Sequence, residues 1–313
     1  MAPPDETGAN EFDIIARHFA PLAAAPGARG LIDDAALLGG YVVTTDAIVE
    51  GVHFLPDDPL DLVARKALRV NLSDLAAKGA RPLHYLLTLA WPKARSANDI
   101  ATLAAGLAQD QAEFGVTLLG GDTVSTPGPL TLSITALGAA GERTPARAGA
   151  MAGDDLWVTG SIGDAGLGLA ALRGGAFDDA DYLIGRYRLP QPRVDLATPV
   201  AAIASAAMDV SDGLLADAAK LAEASGVAID IDLAAIPVSA AAARWLEDEP
   251  EGRTRLAGFG DDYEILFAAS PAYAAAAALF ATRIGGVRAG QGARLLRGGV
   301  SVPAGGYVHA IGR

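Results

Sequence analysis

Six short segments of this 313-residue chain set aspartate beside small or hydroxyl residues, mostly where an apolar run ends. They are Ile32-Asp33-Asp34-Ala35-Ala36, Thr44-Thr45-Asp46, Asn71-Leu72-Ser73-Asp74, Gly120-Gly121-Asp122-Thr123, Met208-Asp209-Val210-Ser211-Asp212-Gly213 and Gly258-Phe259-Gly260-Asp261-Asp262-Tyr263-Glu264. A fold that gathers such segments crowds carboxylates together, which is tolerable only with cations among them. Hard divalent cations take oxygen ligands, and Mg²⁺ usually shares its shell between carboxylates and substrate phosphates. The pattern therefore predicts metal-dependent phosphate chemistry.

Charge and composition narrow the partners. With 24 basic against 37 acidic residues the formal net charge is −13, which argues against nucleic acid and against docking on an anionic membrane. An acidic protein acting on a polyanion needs cations between the two, which fits the aspartate segments. There is no cysteine, so thiolate nucleophiles, disulfides and Fe–S clusters are excluded. Residues Met1 to Asn10 carry Asp5 and Glu6 and lack a basic or apolar leader pattern. No apolar stretch is long enough for a bilayer span. The expected location is cytoplasmic, with no membrane partner.

At this length two domains are expected. Short apolar strands alternate with Ala/Leu-rich helical stretches in both halves, a mixed α/β (α+β) class. The first half reads as a helix over Glu11 to Ala20, a strand over Tyr41 to Thr45, a helix over Leu60 to Lys78 closed by Gly79, and a strand over His84 to Trp91. A helix from Ser96 to about Gly115, a strand over Val116 to Leu119 and a strand over Leu130 to Leu137 follow. The Ala/Gly-rich stretch Gly141 to Gly153 marks the boundary, giving domains 1–145 and 146–313. The second half reads as strands at Leu156 to Thr159, Val227 to Ile231 and Glu264 to Ala268. Its helices are Ala165 to Leu172, Thr198 to Ala206, Leu214 to Ser225 and Pro271 to Thr282.

Each acidic segment has an ordinary reading beside the chemical one. Asp74 lies with Val63, Ala67 and Val70 on one helical stripe, so its charge points toward apolar surroundings. The competing reading is a surface pair with Lys78 at i, i+4; beside the other acidic segments, metal binding is favoured. Asp46 and Asp122 each read as ending a strand, where a loop aims a carboxylate into a cleft, though turn aspartates sit there too. Asp33 and Asp34 repel each other, which a cation or a solvated turn relieves. Asp209 and Asp212 serve equally as caps for the helix at Leu214. His53, one of four histidines, is the one close in sequence to a suspected site. Gly163 to Gly168 could hold an anion at a helix N-terminus, but its spacing is not a dinucleotide fingerprint and a tight strand-to-helix turn is favoured. No Walker A sequence and no nucleophile elbow are present. Paired-acid glycoside chemistry stays open, but it requires no aspartate-plus-threonine clusters.

These segments, with Val52-His53-Phe54, Lys66-Ala67-Leu68 and Val70 to Ala77, occur in one order and at fitting separations along nearly the whole chain. In that respect the chain resembles the thiamine-monophosphate kinases, of the superfamily of aminoimidazole ribonucleotide synthetase. The resemblance implies ATP-dependent phosphorylation of thiamine monophosphate to thiamine diphosphate with several Mg²⁺ ions. It implies Asp34, Thr44, Thr45, Asp46, Asp74, Asp122, Asp209 and Asp212 as metal ligands, with Asp46, Asp74, Asp122 and Asp212 central to catalysis. It implies ATP contacts at Gly121, Asp122, Arg147 and Ser211, and an acceptor site lined by His53, Asp261 and Tyr307. The implied architecture is a homodimer whose N-terminal domains form a shared β-barrel, with a C-terminal α/β domain completing the cleft. Three departures stand out: Ile32 replaces a usual glycine, Asp261 replaces a usual glutamate, and the C-terminal end keeps Tyr307 but lacks a closing aromatic. Selenophosphate synthetase and the hydrogenase maturation member rely on a cysteine that this chain lacks. Aminoimidazole ribonucleotide synthetase and a non-catalytic nucleotide-binding protein are the remaining alternatives.

Overall fold

The computed structural model describes residues 11–302; Tyr307 lies outside the described residues. A short helix α1 (Glu11–Ile14) runs into a π-helical turn at Ile15–Phe19, so the expected helix over 11–20 does not continue as an α-helix. Then come β1 (Ala36–Leu38), β2 (Tyr41–Val49), α2 (Leu60–Ala77), β3 (Arg81–Pro92), α3 (Asn98–Phe114), β4 (Thr117–Thr126) and β5 (Thr131–Ala139). The five strands form one sheet in the order β1-β2-β5-β3-β4. Neighbours are antiparallel except β3 and β4, which run parallel because α3 carries the chain back between them. Along β5 the alternation works as expected: Leu132, Ile134 and Ala136 are fully buried in the core that includes α2, while Thr131, Ser133 and Thr135 turn to the other face. The sheet is open, with β1 and β4 as its edges, so the described residues form no closed barrel.

The second half contains β6 (Asp155–Val158), α4 (Asp164–Leu172), α5 (Ala180–Arg188), α6 (Ala197–Ile203), β7 (Ala204–Asp209), α7 (Leu214–Ser225) and β8 (Ala228–Asp232). After these come α8 (Ala240–Asp248), α9 (Arg253–Leu256), β9 (Ile265–Ala269), α10 (Ala274–Ala277), β10 (Thr282–Arg288), β11 (Gly292–Arg297) and β12 (Val300–Val302). Its sheet has seven strands in the order β12-β11-β8-β10-β6-β9-β7. Two expected helices were too long. The alanine-rich run after Ile203 is extended because β7 pairs with β9, and Thr282 opens β10 rather than closing a helix.

Helix α2 links the two halves. From Val63 onward all its residues except Arg65 are buried, because β2, β5 and α3 cover one side while α5, α6, β7 and β9 cover the other. Polar residues on its second face therefore face protein rather than water. The helix ends where Gly79 takes φ 68°, the left-handed conformation that terminates helices at low cost when no Cβ is present.

Candidate active site

Three carboxylates meet at the junction of the halves. Asp34 precedes β1, Asp74 lies on α2 and Asp209 ends β7; one ligand oxygen from each lies within 4.8 Å of the others. Asp74 and Asp209 are only 8% and 4% exposed. The Thr44 hydroxyl, on the buried face of β2, donates to Asp74 Oδ2 at 2.5 Å. Asn71 Oδ1 accepts from the Asp46 backbone N–H at 3.1 Å, tying β2 to α2 beside the cluster.

The acids differ in what compensates them. Asp34 is held by two cations: Lys78 Nζ lies 2.6 Å from its Oδ2, and the Arg147 guanidinium grips its Oδ1. Burial opposes ionisation of Asp34, but Lys78 and Arg147 outweigh it and hold the carboxyl at about 2. Among the described residues no basic side chain pairs with Asp74 or Asp209. Burial, with repulsion from Asp209, Asp46 and Asp34, pushes Asp74 well above the usual carboxylate range. Burial and repulsion from Asp34 push Asp209 up to about 8, partly offset by the Ser73 hydroxyl. Asp46 has surface open to solvent, yet the protein massed around it excludes water from much of the carboxyl's surroundings. That desolvation, with repulsion from Asp34, Asp212 and Glu11, raises it to about 6.

A divalent cation fits this donor set. Three clustered oxygens of hard character, two of them on carboxylates with no cationic partner among the described residues, match what Mg²⁺ binds. Asp34, Asp74 and Asp209 are the residues that would hold it, with Thr44 orienting Asp74.

The structure places the other expected residues variously. Lys78 is fully buried and pairs with Asp33 and Asp34, with Ala207 O accepting at 2.7 Å; the surface pair between Asp74 and Lys78 does not exist. Asp212 is bound by Lys220, which also reaches Asp217 at 2.7 Å. Asp217, not Asp209 or Asp212, receives the Ser211 and Asp212 backbone N–H groups, each at 3.0 Å. The Thr45 hydroxyl is committed to the sheet, donating to Ile134 O at 3.1 Å. Neither Asp46 nor Asp122 ends its strand, because ladder pairing continues past both. Asp122 sits on the exposed edge strand β4. Three strand steps separate it from Asp46, roughly 14 Å at ordinary strand spacing, so one chain does not bring it to the cluster. Gly121 has φ 151°, and a Cβ there would lie 1.8 Å from Leu87 O, so the ladder itself requires glycine. The N-terminus of α4 is filled from within: Asp262 accepts the Gly163 N–H at 2.7 Å, so the loop is a turn and not an anion site.

His53 and Asp261 come together at a second focus. Lys66 Nζ, on α2, donates to His53 O and to Asp261 Oδ2, each at 3.0 Å. The sequence singles out neither Lys66, Lys78, Lys220 nor Asp217 as a site residue. Lys66 carried a usable signal, standing three residues after Val63 and four before Val70, at the margin of the apolar stripe.

Residues 32–140 match the family model for the AIR synthase related protein N-terminal domain, and residues 151–295 match that for its C-terminal domain. The thiamine-monophosphate kinase of Caulobacter vibrioides is 48% identical over 308 residues, covering 93% of this chain and 88% of that protein. The chain belongs to the thiamine-monophosphate kinase family. The relatives it matches are named as kinases, so the family is one of enzymes. The solved structure of AaThiL complexed with AMPPCP and TMP superposes with a TM-score of 0.85 at 30% identity, covering 96% of this chain and 97% of that one. The thiamine-monophosphate kinase of Stenotrophomonas maltophilia K279a superposes at 0.74 with 39% identity, over 84% and 89%. No helix among the described residues is long and apolar enough to cross a membrane.

Proposed function

We propose that this chain transfers the γ-phosphoryl group of ATP to the phosphate of thiamine monophosphate, giving thiamine diphosphate and ADP, the last step in making that coenzyme. The observation that carries this reading is the meeting of Asp34, Asp74 and Asp209 within 4.8 Å, in a chain built like AaThiL. A phosphate monoester is mostly dianionic at neutral pH, its second pKa being about 6, so the acceptor oxygen attacks without a general base. That oxygen bonds to the γ-phosphorus as the bond to the β–γ bridging oxygen breaks, and no proton has to move. Catalysis then consists of positioning two anions and offsetting their repulsion. Mg²⁺, when bound, supplies charge neutralisation and orients the phosphate oxygens.

The protein's own share follows from its contacts. Lys78 and Arg147 keep Asp34 ionised and fixed, so at least one carboxylate needs no deprotonation before the cation arrives. Arg147, part-buried against Asp34 with 15% of its side chain exposed, is the cation we assign to a nucleotide phosphate. Ser211 adjoins Asp212, and its carbonyl accepts the Asp261 N–H at 2.8 Å, which ties the nucleotide side to the acceptor side. His53 and Asp261, with Tyr307, form the acceptor subsite in this reading.

The active form we propose is a cytoplasmic homodimer with domains 1–145 and 146–313. Support comes from β4: it is exposed along nearly its whole length and carries the open apolar side chains Leu118, Leu119 and Val124. An unpaired apolar edge of this kind calls for cover. A second copy seated along β4 closes the N-terminal sheets into a barrel and covers Gly121 and Asp122. The nucleotide contacts expected there then belong to the assembled dimer. Acceptor-dependent ADP release with thiamine monophosphate tests the proposal as a whole.

A further inference from the structure

We infer that Lys66 is the positioning residue of the acceptor subsite, its ammonium fixing the His53 loop and the Asp261 loop against each other. The inference rests on the assignment of His53 and Asp261 to that subsite and goes beyond it, since Lys66 does not itself line the site.

Lys66 is a buried cation, only 1% exposed, and such a charge persists only when fully compensated. Its partners come from three separate stretches of chain. The His53 carbonyl and Asp261 Oδ2 accept from it, each at 3.0 Å, and the Tyr187 ring lies beneath it with the centroid 4.0 Å away. Tyr187 in turn donates its hydroxyl to the same His53 carbonyl at 3.3 Å. The His53 backbone oxygen thus takes two donors, and its ring Nδ1 accepts the Val49 N–H at 3.1 Å. Both ends of His53 are fixed.

The Asp261 loop needs an external clamp. Asp261 and Tyr263 adopt φ 67° and 53°, a left-handed conformation that side-chain-bearing residues hold only where surrounding contacts impose it. Backbone bonds from Asp261 N to Ser211 O and from Tyr263 N to Val210 O, each 2.8 Å, fix one side. Lys66 fixes the other by holding the carboxylate, while the Tyr263 hydroxyl donates to Asp261 Oδ1 at 3.3 Å. The Asp261 side chain keeps 30% exposure, enough to face a ligand. Because Lys66 stands on α2 and Asp261 in the other half of the chain, one ammonium sets the distance between two acceptor-lining groups.

The test compares Lys66→Met and Lys66→Gln with wild type in steady-state ADP release, varying thiamine monophosphate and ATP separately. Positioning predicts a KM for thiamine monophosphate raised about tenfold or more in Lys66→Met, with the KM for ATP within about twofold. Lys66→Gln, which keeps donors without charge, recovers part of the loss. In an Asp261→Asn background most of the Lys66→Met effect disappears, because the two residues act as one unit. An equal rise in both KM values, or full additivity with Asp261→Asn, overturns the inference. So does a lower KM for thiamine monophosphate, the result expected if Lys66 only competes with the cationic substrate for Asp261. Backbone hydrogen exchange gives a readout independent of turnover: Lys66→Met loosens residues 51–54 and 258–264 together. Unchanged exchange at either loop refutes the clamp. Wild type without acceptor-dependent ADP release refutes the acceptor reading instead, and exchange then still decides whether Lys66 couples the loops.

Discussion

Metal affinity of the nucleotide-free protein should depend steeply on pH, and Asp209 sets the scale. Its carboxyl is pushed from the ordinary 3.8 up to about 8 by burial and by repulsion from Asp34. A cation entering the cluster must displace that proton. The protonated fraction falls from nearly all at pH 6 to about half at pH 8. The apparent association constant should therefore rise about 50-fold over that interval, or about 2 kcal/mol. Asp74, raised for the same reasons, steepens the rise further. Without metal the sign reverses for stability. A carboxyl whose folded pKa is raised binds its proton more tightly folded than unfolded. Its stabilisation is complete below about 4 and is lost as pH rises through about 8. Mg²⁺ should accordingly raise the melting temperature little at pH 6 and several degrees at pH 8. Titration calorimetry with Mg²⁺ or Mn²⁺ at both pH values, with Asp209→Asn as control, measures the effect. Equal affinity at pH 6 and pH 8 in wild type would refute the argument that Asp209 is held protonated by burial and by repulsion from Asp34.

Asp74→Asn should retain the fold and lose at least about a hundredfold in activity at limiting Mg²⁺, since it removes the carboxylate that Thr44 orients; nearly unchanged turnover would reduce Asp74 to a structural residue. Asp110→Ala should cost about 3–5 kcal/mol in urea unfolding, because the carboxylate is fully buried and receives Arg65 and both Nε and Nη2 of the buried Arg69. A loss under about 1 kcal/mol would contradict the buried-pair account. Light scattering at micromolar concentration should give a dimer, and Val124→Asp on the exposed edge strand should give a monomer; a wild-type monomer would count against assembly through β4.

The resemblance carried in the acidic segments led to the correct family, and periodicity located α2, α3, α7 and the alternating β5. Residues whose partners lie across the domain junction escaped the reading. The i, i+4 spacing leaves a surface pair between Asp74 and Lys78 open beside the favoured metal reading, because sequence spacing cannot show that a second half of the chain covers the outer face of α2. Lys66 and Lys78 are fully buried cations whose partners, Asp261 and Asp33 with Asp34, stand far off in sequence. Asp46 and Asp122 read as strand ends because the run Tyr41 to Thr45 gives way to a charge at Asp46 and because Gly120-Gly121 interrupts the strand before Asp122, whereas ladder pairing carries both strands onward. The alanine-rich run at 204–209 carries no usable period, and pairing with β9 decides its conformation; the run from Ala274 is helical only to Ala277, and pairing with β6 takes over at Thr282. Among the acids, repeated segments predicted a cluster, but only the fold shows that Asp34 already owns two cations while Asp74 and Asp209 have none among the described residues.

Coupled ADP release, measured with thiamine monophosphate, free thiamine, the aminoimidazole synthetase substrate or no acceptor, tests the central claim most directly. Direct transfer to a dianionic phosphate predicts ADP formation with thiamine monophosphate and Mg²⁺, abolished by EDTA, and little with free thiamine, whose alcohol, unlike a dianionic phosphate, must lose a proton as it attacks. Equal turnover of thiamine and its monophosphate, or ADP release that ignores the acceptor, would contradict it.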